Sequence, residues 1–102
     1  MSELPIACTL QPGELSARAP DLLPGVARLA NSRTPIKDGY RFEFAASSDC
    51  LHAIVAMIDA ERQCCRFMRF QLTVEPGAGP LRLDVTGPAG TEEFLAGLVE
   101  SS

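Results

Sequence analysis

Two segments in the second half of the chain alternate apolar and polar residues, and this alternation constrains the fold more than any other feature. Their apolar members are Phe70, Leu72 and Val74 in the first segment and Leu81, Leu83 and Val85 in the second. The loop 76–80 between the segments holds two prolines and two glycines, so the pattern predicts an antiparallel hairpin. Only one face of such a hairpin is apolar, and helices are needed to cover it.

The middle of the chain predicts the strand and the helix that precede this hairpin. Residues 40–44 alternate apolar and charged side chains, as a half-buried strand does. Ser47, Ser48 and Asp49 then offer N-caps for a helix that runs to about Gln63. The buried stripe of this helix is predicted to be Leu51, Ile54, Val55 and Ile58.

The two ends of the chain complete the predicted order of elements. They comprise a first strand over residues 6–10, a helix over 14–31 broken at Pro20 and Pro24, a turn over 34–39, and a last helix over 91–99. The resulting order, β-α-β-α-β-β-α, favours an α+β fold: a two-layer sandwich with a small, mostly antiparallel sheet and helices on one face. The whole chain, residues 1–102, is predicted to be a single domain.

The charge balance limits the classes of partner. Thirteen acidic residues against nine basic ones give a net charge of −4, whereas nucleic-acid binding needs clustered Lys and Arg. The longest strongly apolar stretch, residues 53–58, is far too short to cross a bilayer, and the N-terminus lacks the pattern of a signal peptide. We therefore expect a cytoplasmic protein that binds neither nucleic acid nor membranes. Its four cysteines are expected to be free, metal-binding or reactive rather than structural bridges.

Cys64 and Cys65 form the cluster that packing explains least well. They end the predicted middle helix, and Glu61 lies three and four residues before them, so its carboxylate can lie beside either sulfur. A disulfide between adjacent residues would be strained, and two thiolates are an incomplete site for zinc. The alternative is simple packing, because free cysteine is among the most buried residue types. Cys50 and the single histidine, His52, are predicted to be a packed and a surface residue of the same helix.

A third sulfur would change the chemistry of this pair. Cys8 lies in the predicted first strand, and it would converge on Cys64 and Cys65 if that strand pairs near the end of the helix. Three thiolates with an open position suit a soft, thiophilic ion better than magnesium or calcium. The predicted metal site therefore consists of Cys8, Cys64, Cys65 and Glu61.

Three segments of the chain resemble a family of small, largely uncharacterised bacterial proteins. The matching segments are Cys8-Thr9-Leu10, Glu61-Arg62-Gln63-Cys64-Cys65-Arg66-Phe67 and Leu83-Asp84-Val85-Thr86-Gly87-Pro88-Ala89-Gly90. The resemblance spans nearly the whole length, and its most specific element is the Glu-x-x-Cys-Cys-x-Phe motif. Family members are reminiscent of accessory proteins linked to heavy-metal or metalloid responses. The resemblance implies the same site, Cys8, Cys64, Cys65 and Glu61, whereas Arg66 stands where relatives often have Pro or a small residue.

These observations support three hypotheses about function. The first is a cytoplasmic thiol-based binding protein for a soft metal or metalloid ion, accessory to a metal response. The second is a thiol redox protein, in which one cysteine attacks and another resolves. The third is a small interaction module with structural cysteines that pairs with a partner or with itself as a homodimer. No hydrolase pattern stands out, so an enzyme is not the favoured class.

Overall fold

The computed structural model describes the backbone of residues 23–100 and the side chains among them other than those at positions 24, 64 and 98–100. Its elements follow in the order α1 (Leu23–Ala27), β1 (Ser32–Ile36), β2 (Gly39–Phe44), α2 (Ser48–Cys64), β3 (Arg69–Val74), β4 (Leu81–Thr86) and α3 (Thr91–Glu100). The predicted α+β class is confirmed: helices and a small antiparallel sheet form one two-layer unit.

The four strands are arranged β1-β2-β4-β3, and each neighbouring pair is antiparallel. Because β2 and β3 are both antiparallel to β4, they run parallel to each other. Helix α2 is therefore the crossover of a β-α-β unit, and the chain later inserts β4 between the two parallel strands. The hairpin predicted from the alternating segments corresponds to β3 and β4.

The register of the strands separates an apolar face from a polar one. Phe42 of β2 pairs with Leu83 of β4, which pairs in turn with Leu72 of β3, and the first two of these side chains are fully buried. One position along, Arg41 pairs with Asp84 on the opposite face. The buried core joins the apolar face to residues of all three helices, among them Leu23, Ile54, Met57 and Leu95.

Strand β1 lies where the sequence predicts a turn over residues 34–39, and that prediction is wrong for the first half of the segment. The actual turn is formed by Lys37 and Asp38, and Asp38 has a positive φ of 60°. Strand β1 is an edge strand whose first four residues are exposed, so it needs no apolar alternation. An edge strand also tolerates the missing backbone N–H of Pro35.

The start of the chain was predicted to hold a strand over residues 6–10 and a broken helix over 14–31. The strand lies outside the described residues, as does the helix up to residue 22. The chain forms a five-residue helix that begins at Leu23 and ends at Ala27. The later part of this prediction thus corresponds to α1.

Helix α2 begins as predicted but is rotated about its axis relative to the expected stripe. Its N-cap is Ser47, whose hydroxyl accepts a hydrogen bond of 3.1 Å from the backbone N–H of Cys50. The most deeply buried described side chains of the helix are Ile54, Met57 and Glu61, which follow one another at helical spacing. Val55 was predicted to be buried, yet 51% of it is exposed, because the face that meets the core is centred on its neighbours at 54, 57 and 61.

Candidate functional site

Helix α2 ends at the cysteine pair, so the predicted position of the pair between a helix and a strand is confirmed. Cys65 is the C-cap, with φ −116° and ψ 72°, and its backbone N–H donates a hydrogen bond of 2.6 Å to the carbonyl oxygen of Glu61. The N–H of Met68 then donates to the carbonyl of Cys65 at 3.3 Å, and strand β3 starts one residue later at Arg69. This tight turn leaves Cys65 pointing into the core rather than along the helix.

Cys65 is 1% exposed and takes part in a disulfide bond. This differs from the expectation that the cysteines are free or bound to metal. Cys50 is a free, half-buried thiol in the first turn of α2, at the opposite end of the helix from Cys65. Because Cys65 is buried, we expect its sulfur to react with an external molecule only after local opening of the fold.

Glu61 is buried beneath α1, with only 2% of the residue exposed. Its Oε2 accepts a hydrogen bond of 2.8 Å from the backbone N–H of Leu23, the first residue of α1. Burying a carboxylate is costly unless hydrogen bonds compensate for lost water, and the first N–H groups of a helix have no partner within that helix. The carboxylate and the N–H of Leu23 therefore satisfy each other, and α1 forms a cover over Glu61.

The guanidinium of Arg62, the residue next to Glu61, pairs with Asp59 one turn away. The Nε–Oδ1 distance is 2.9 Å and the Nη2–Oδ1 distance 2.7 Å, and more than half of each side chain is exposed. Screened pairs of this kind contribute little to stability. The contact between Glu61 and Leu23 was not anticipated from the sequence, because it joins residues 38 positions apart.

Three apolar residues of α2 and of the turn after it lie in the core. Met57, Phe67 and Met68 are all buried, and the ring of Phe67 meets that of Phe94 edge to face at a centroid distance of 5.3 Å. His52 is exposed on α2, as predicted. The turn that follows α2 is thus packed against α3 through Phe67 and Phe94, while α1 contacts α2 itself.

The polar face of the sheet carries its own charged pairs. The Nε of Arg41 donates to Oδ1 of Asp84 at 2.8 Å, and its Nη2 donates to Oδ2 at 3.0 Å. These two bonds, aided by the positive charges of Arg41 and Arg82, hold the pKa of Asp84 below its ordinary value against the opposing effect of burial. The Nε of Arg82 lies 3.6 Å from Oε2 of Glu43 in the neighbouring strand. This network stabilises the sheet and lies on the face opposite the core.

No three His, Cys, Asp or Glu side chains within the described part of the chain are grouped as a metal ion would require. That part includes Glu61 and Cys65, whereas Cys8 and the side chain of Cys64 lie outside it. Within residues 23–100, none of the helices is long and apolar enough to span a membrane. Comparison with known proteins found no matching family model, no matching curated protein and no matching solved structure.

Proposed function

We propose that this protein is a cytoplasmic thiol-based binding protein for a soft metal or metalloid ion, accessory to a metal response. In the reduced protein the ligands are Cys8, Cys64 and Cys65, and Glu61 orients or neutralises groups beside them. The observation that supports this proposal is the burial of Glu61 one helical turn before a buried, disulfide-bonded Cys65. A buried carboxylate is an expensive component of a core that apolar side chains could fill.

The disulfide of Cys65 supports a role for Cys8. Cys50 is a free thiol, so of the four cysteines in the chain only Cys8 and Cys64 remain as partners for Cys65. Adjacent Cα atoms are about 3.8 Å apart, which is shorter than the range of about 4.4–6.8 Å found across disulfides. We therefore propose that Cys8 is the partner, and that the third sulfur predicted from the sequence reaches the site.

Reduction is the step that would open this site to an ion. An external dithiol gives two electrons and two protons to the disulfide of Cys65, which becomes two thiols while the dithiol becomes a disulfide. A soft ion then displaces the protons of the thiols, because thiolates and not thiols are ligands. Cytosolic disulfides of mesophiles are usually transient and catalytic or redox-sensing, and this agrees with a bond that closes and opens.

A titration with As(III) or Zn(II) tests the proposal directly. The wild-type protein is reduced, separated from reductant without oxygen, and titrated while proton release is followed. The double variant Cys64→Ser, Cys65→Ser should lose binding, while Cys50→Ser should bind as the wild type does because Cys50 lies at the other end of α2. The oxidised wild-type protein should bind weakly. Equal affinity of the double variant and the wild type would contradict the proposal.

The disulfide of Cys65 also favours a second candidate, a thiol redox protein. In this alternative Cys64 or Cys8 exchanges with a substrate disulfide and no ion is needed. Equilibration in glutathione buffers separates the two candidates from a purely structural bridge. A redox-active bond is reduced within the cytosolic range of about −220 to −320 mV, whereas a structural bond resists reduction there.

A further inference from the structure

A shallow groove of about 630 Å³ runs along one side of α2. We call this surface the α2 flank. It is lined by Leu51, His52, Val55, Ala56, Ile58, Asp59 and Arg62. Val55 in this lining is 51% exposed, and its neighbour Ala56 is exposed as well. The lining is mostly apolar, with polar side chains along the outer edge.

The apolar part of the α2 flank has the spacing of a helix-pairing seam. Leu51, Val55, Ile58 and Arg62 follow one another at intervals of four, three and four residues, which is the alternation of a coiled-coil interface. A seam that served only the core of this domain would be covered, as Ile54 and Met57 are. The exposed Val55 instead leaves this row of side chains open to a second helix.

The charges on the α2 flank favour a second copy of the same chain as that helix. The chain carries a net charge of −4, so two copies repel each other unless the surfaces that meet are locally balanced. The α2 flank is balanced, since it carries the acidic Asp59, the basic Arg62 and the titratable His52. An isologous contact uses the same surface twice and requires such self-complementarity.

One antiparallel register brings the whole seam together. With two copies of α2 related by a two-fold axis, Val55 of one copy lies opposite Ile58 of the other, and the methylenes of Arg62 cover Leu51. The same register sets His52 of one copy beside Asp59 of the other, and each of these contacts occurs twice. Apolar side chains then fill the centre and polar ones the rim, as in ordinary protein interfaces.

We propose that the α2 flank is the interface of a two-fold homodimer in which the two α2 helices pack antiparallel. The proposal does not use the thiol chemistry, because no cysteine stands among the described residues that line the groove. The dimer would place the two thiol sites on separate copies.

Sedimentation equilibrium of the reduced protein tests the interface, with reductant present so that disulfides between chains do not contribute. The wild type is expected to have the mass of two chains and Val55→Lys the mass of one. Val74→Lys is the matched control, because Val74 is also an exposed valine, at 60%, but lies at the end of β3. It should remain a dimer. A wild type that stays monomeric up to its solubility limit overturns the proposal, and so does a dimer that Val55→Lys leaves intact.

A charge exchange tests the register with side chains that are both exposed. His52→Glu puts a carboxylate opposite Asp59 twice, and Asp59→Lys puts an ammonium group opposite His52 twice, so each variant alone should dimerise more weakly than the wild type. Mixing the two variants pairs Glu with Lys at one contact and restores His with Asp at the other. The mixture should recover the dimer mass. If mixing gives no recovery, the antiparallel register is wrong.

Discussion

Replacing Glu61 by alanine should destabilise the fold far more than the loss of one surface carboxylate would. The carboxylate is buried and accepts a hydrogen bond of 2.8 Å from the N–H of Leu23. In Glu61→Ala this N–H remains buried without that acceptor. Because α1 is only five residues long, it has little stability of its own and depends on such contacts. We expect α1 to loosen and to uncover the end of α2 beside Cys65.

The size of the effect follows from two contributions. A buried donor left without its acceptor costs about 1–3 kcal/mol, and the one methylene group removed from the core contributes about 0.8 kcal/mol. Relief of the cost of burying a charge offsets part of this sum. We therefore expect Glu61→Ala to lower the free energy of unfolding by about 2 kcal/mol, a large share of the roughly 5–15 kcal/mol typical of a domain. Glu61→Gln keeps an acceptor oxygen and the shape, so it should cost about 1 kcal/mol.

Urea denaturation followed by circular dichroism measures these differences, in reducing and in oxidising buffer because Cys65 takes part in a disulfide. Asp59→Ala is the control: it removes a carboxylate from the same helix, but one that is 60% exposed and pairs with Arg62 on the surface. It should change stability by less than about 1 kcal/mol. If Glu61→Ala were as mild as Asp59→Ala, the claim that Glu61 fastens α1 to α2 would be wrong.

Three further predictions concern the scaffold. The lowered pKa of Asp84 means that its contribution to stability is present above the ordinary pKa and is lost as the pH falls through the lower, folded value. Asp84→Asn should therefore flatten the stability profile measured by urea titration between about pH 7 and about pH 3, and an unchanged slope would contradict this. Gly39→Ala should lower the melting temperature, because a Cβ there would collide with the carbonyl oxygen of Val85. A melting temperature equal to that of the wild type would contradict the close approach of β2 and β4 at Gly39. Ser47→Ala removes the cap of α2 and should cost about 1 kcal/mol in urea denaturation, whereas a stabilised variant would count against the cap.

The elements that could be predicted from the sequence are those whose side chains alternate or recur because of local geometry. Every second residue is buried throughout β4 and from Phe42 to Phe44 in β2. Strand β3 alternates in sequence too, although Leu72 is only partly buried and Val74 is exposed. The start of α2 is marked by its N-cap, Ser47. Strand β1 escaped prediction because its exposed edge position imposes no pattern on its side chains. The exposed Val55 shows a second limit, because an apolar residue at helical spacing can lie on the surface as well as in the core.

The candidate site was predictable as a position along the chain but not as an environment. The motif places Glu61 one helical turn before the backbone of Cys64 and Cys65. The burial of Glu61 depends on Leu23, which the chain brings from 38 residues away, and no local pattern contains that information. The disulfide of Cys65 differs from the expectation of free or metal-bound cysteines, which was based only on the predicted cytoplasmic compartment.

Because β4 lies between β2 and β3 in the sheet, the order in which the strands are synthesised on the ribosome affects folding. Both partners of β4 are made before it, yet neither can complete the sheet without it, since β2 and β3 meet only through that strand. A nascent chain that stops short of Leu81 can pair β1 with β2, but it lacks the strand that joins β3 to that hairpin. The pairing of β2 with β4 must wait for this later segment. Such non-local pairing slows folding and exposes intermediates to aggregation. Substitutions that weaken β4 should therefore destabilise the whole sheet, because β4 holds β2 and β3 together.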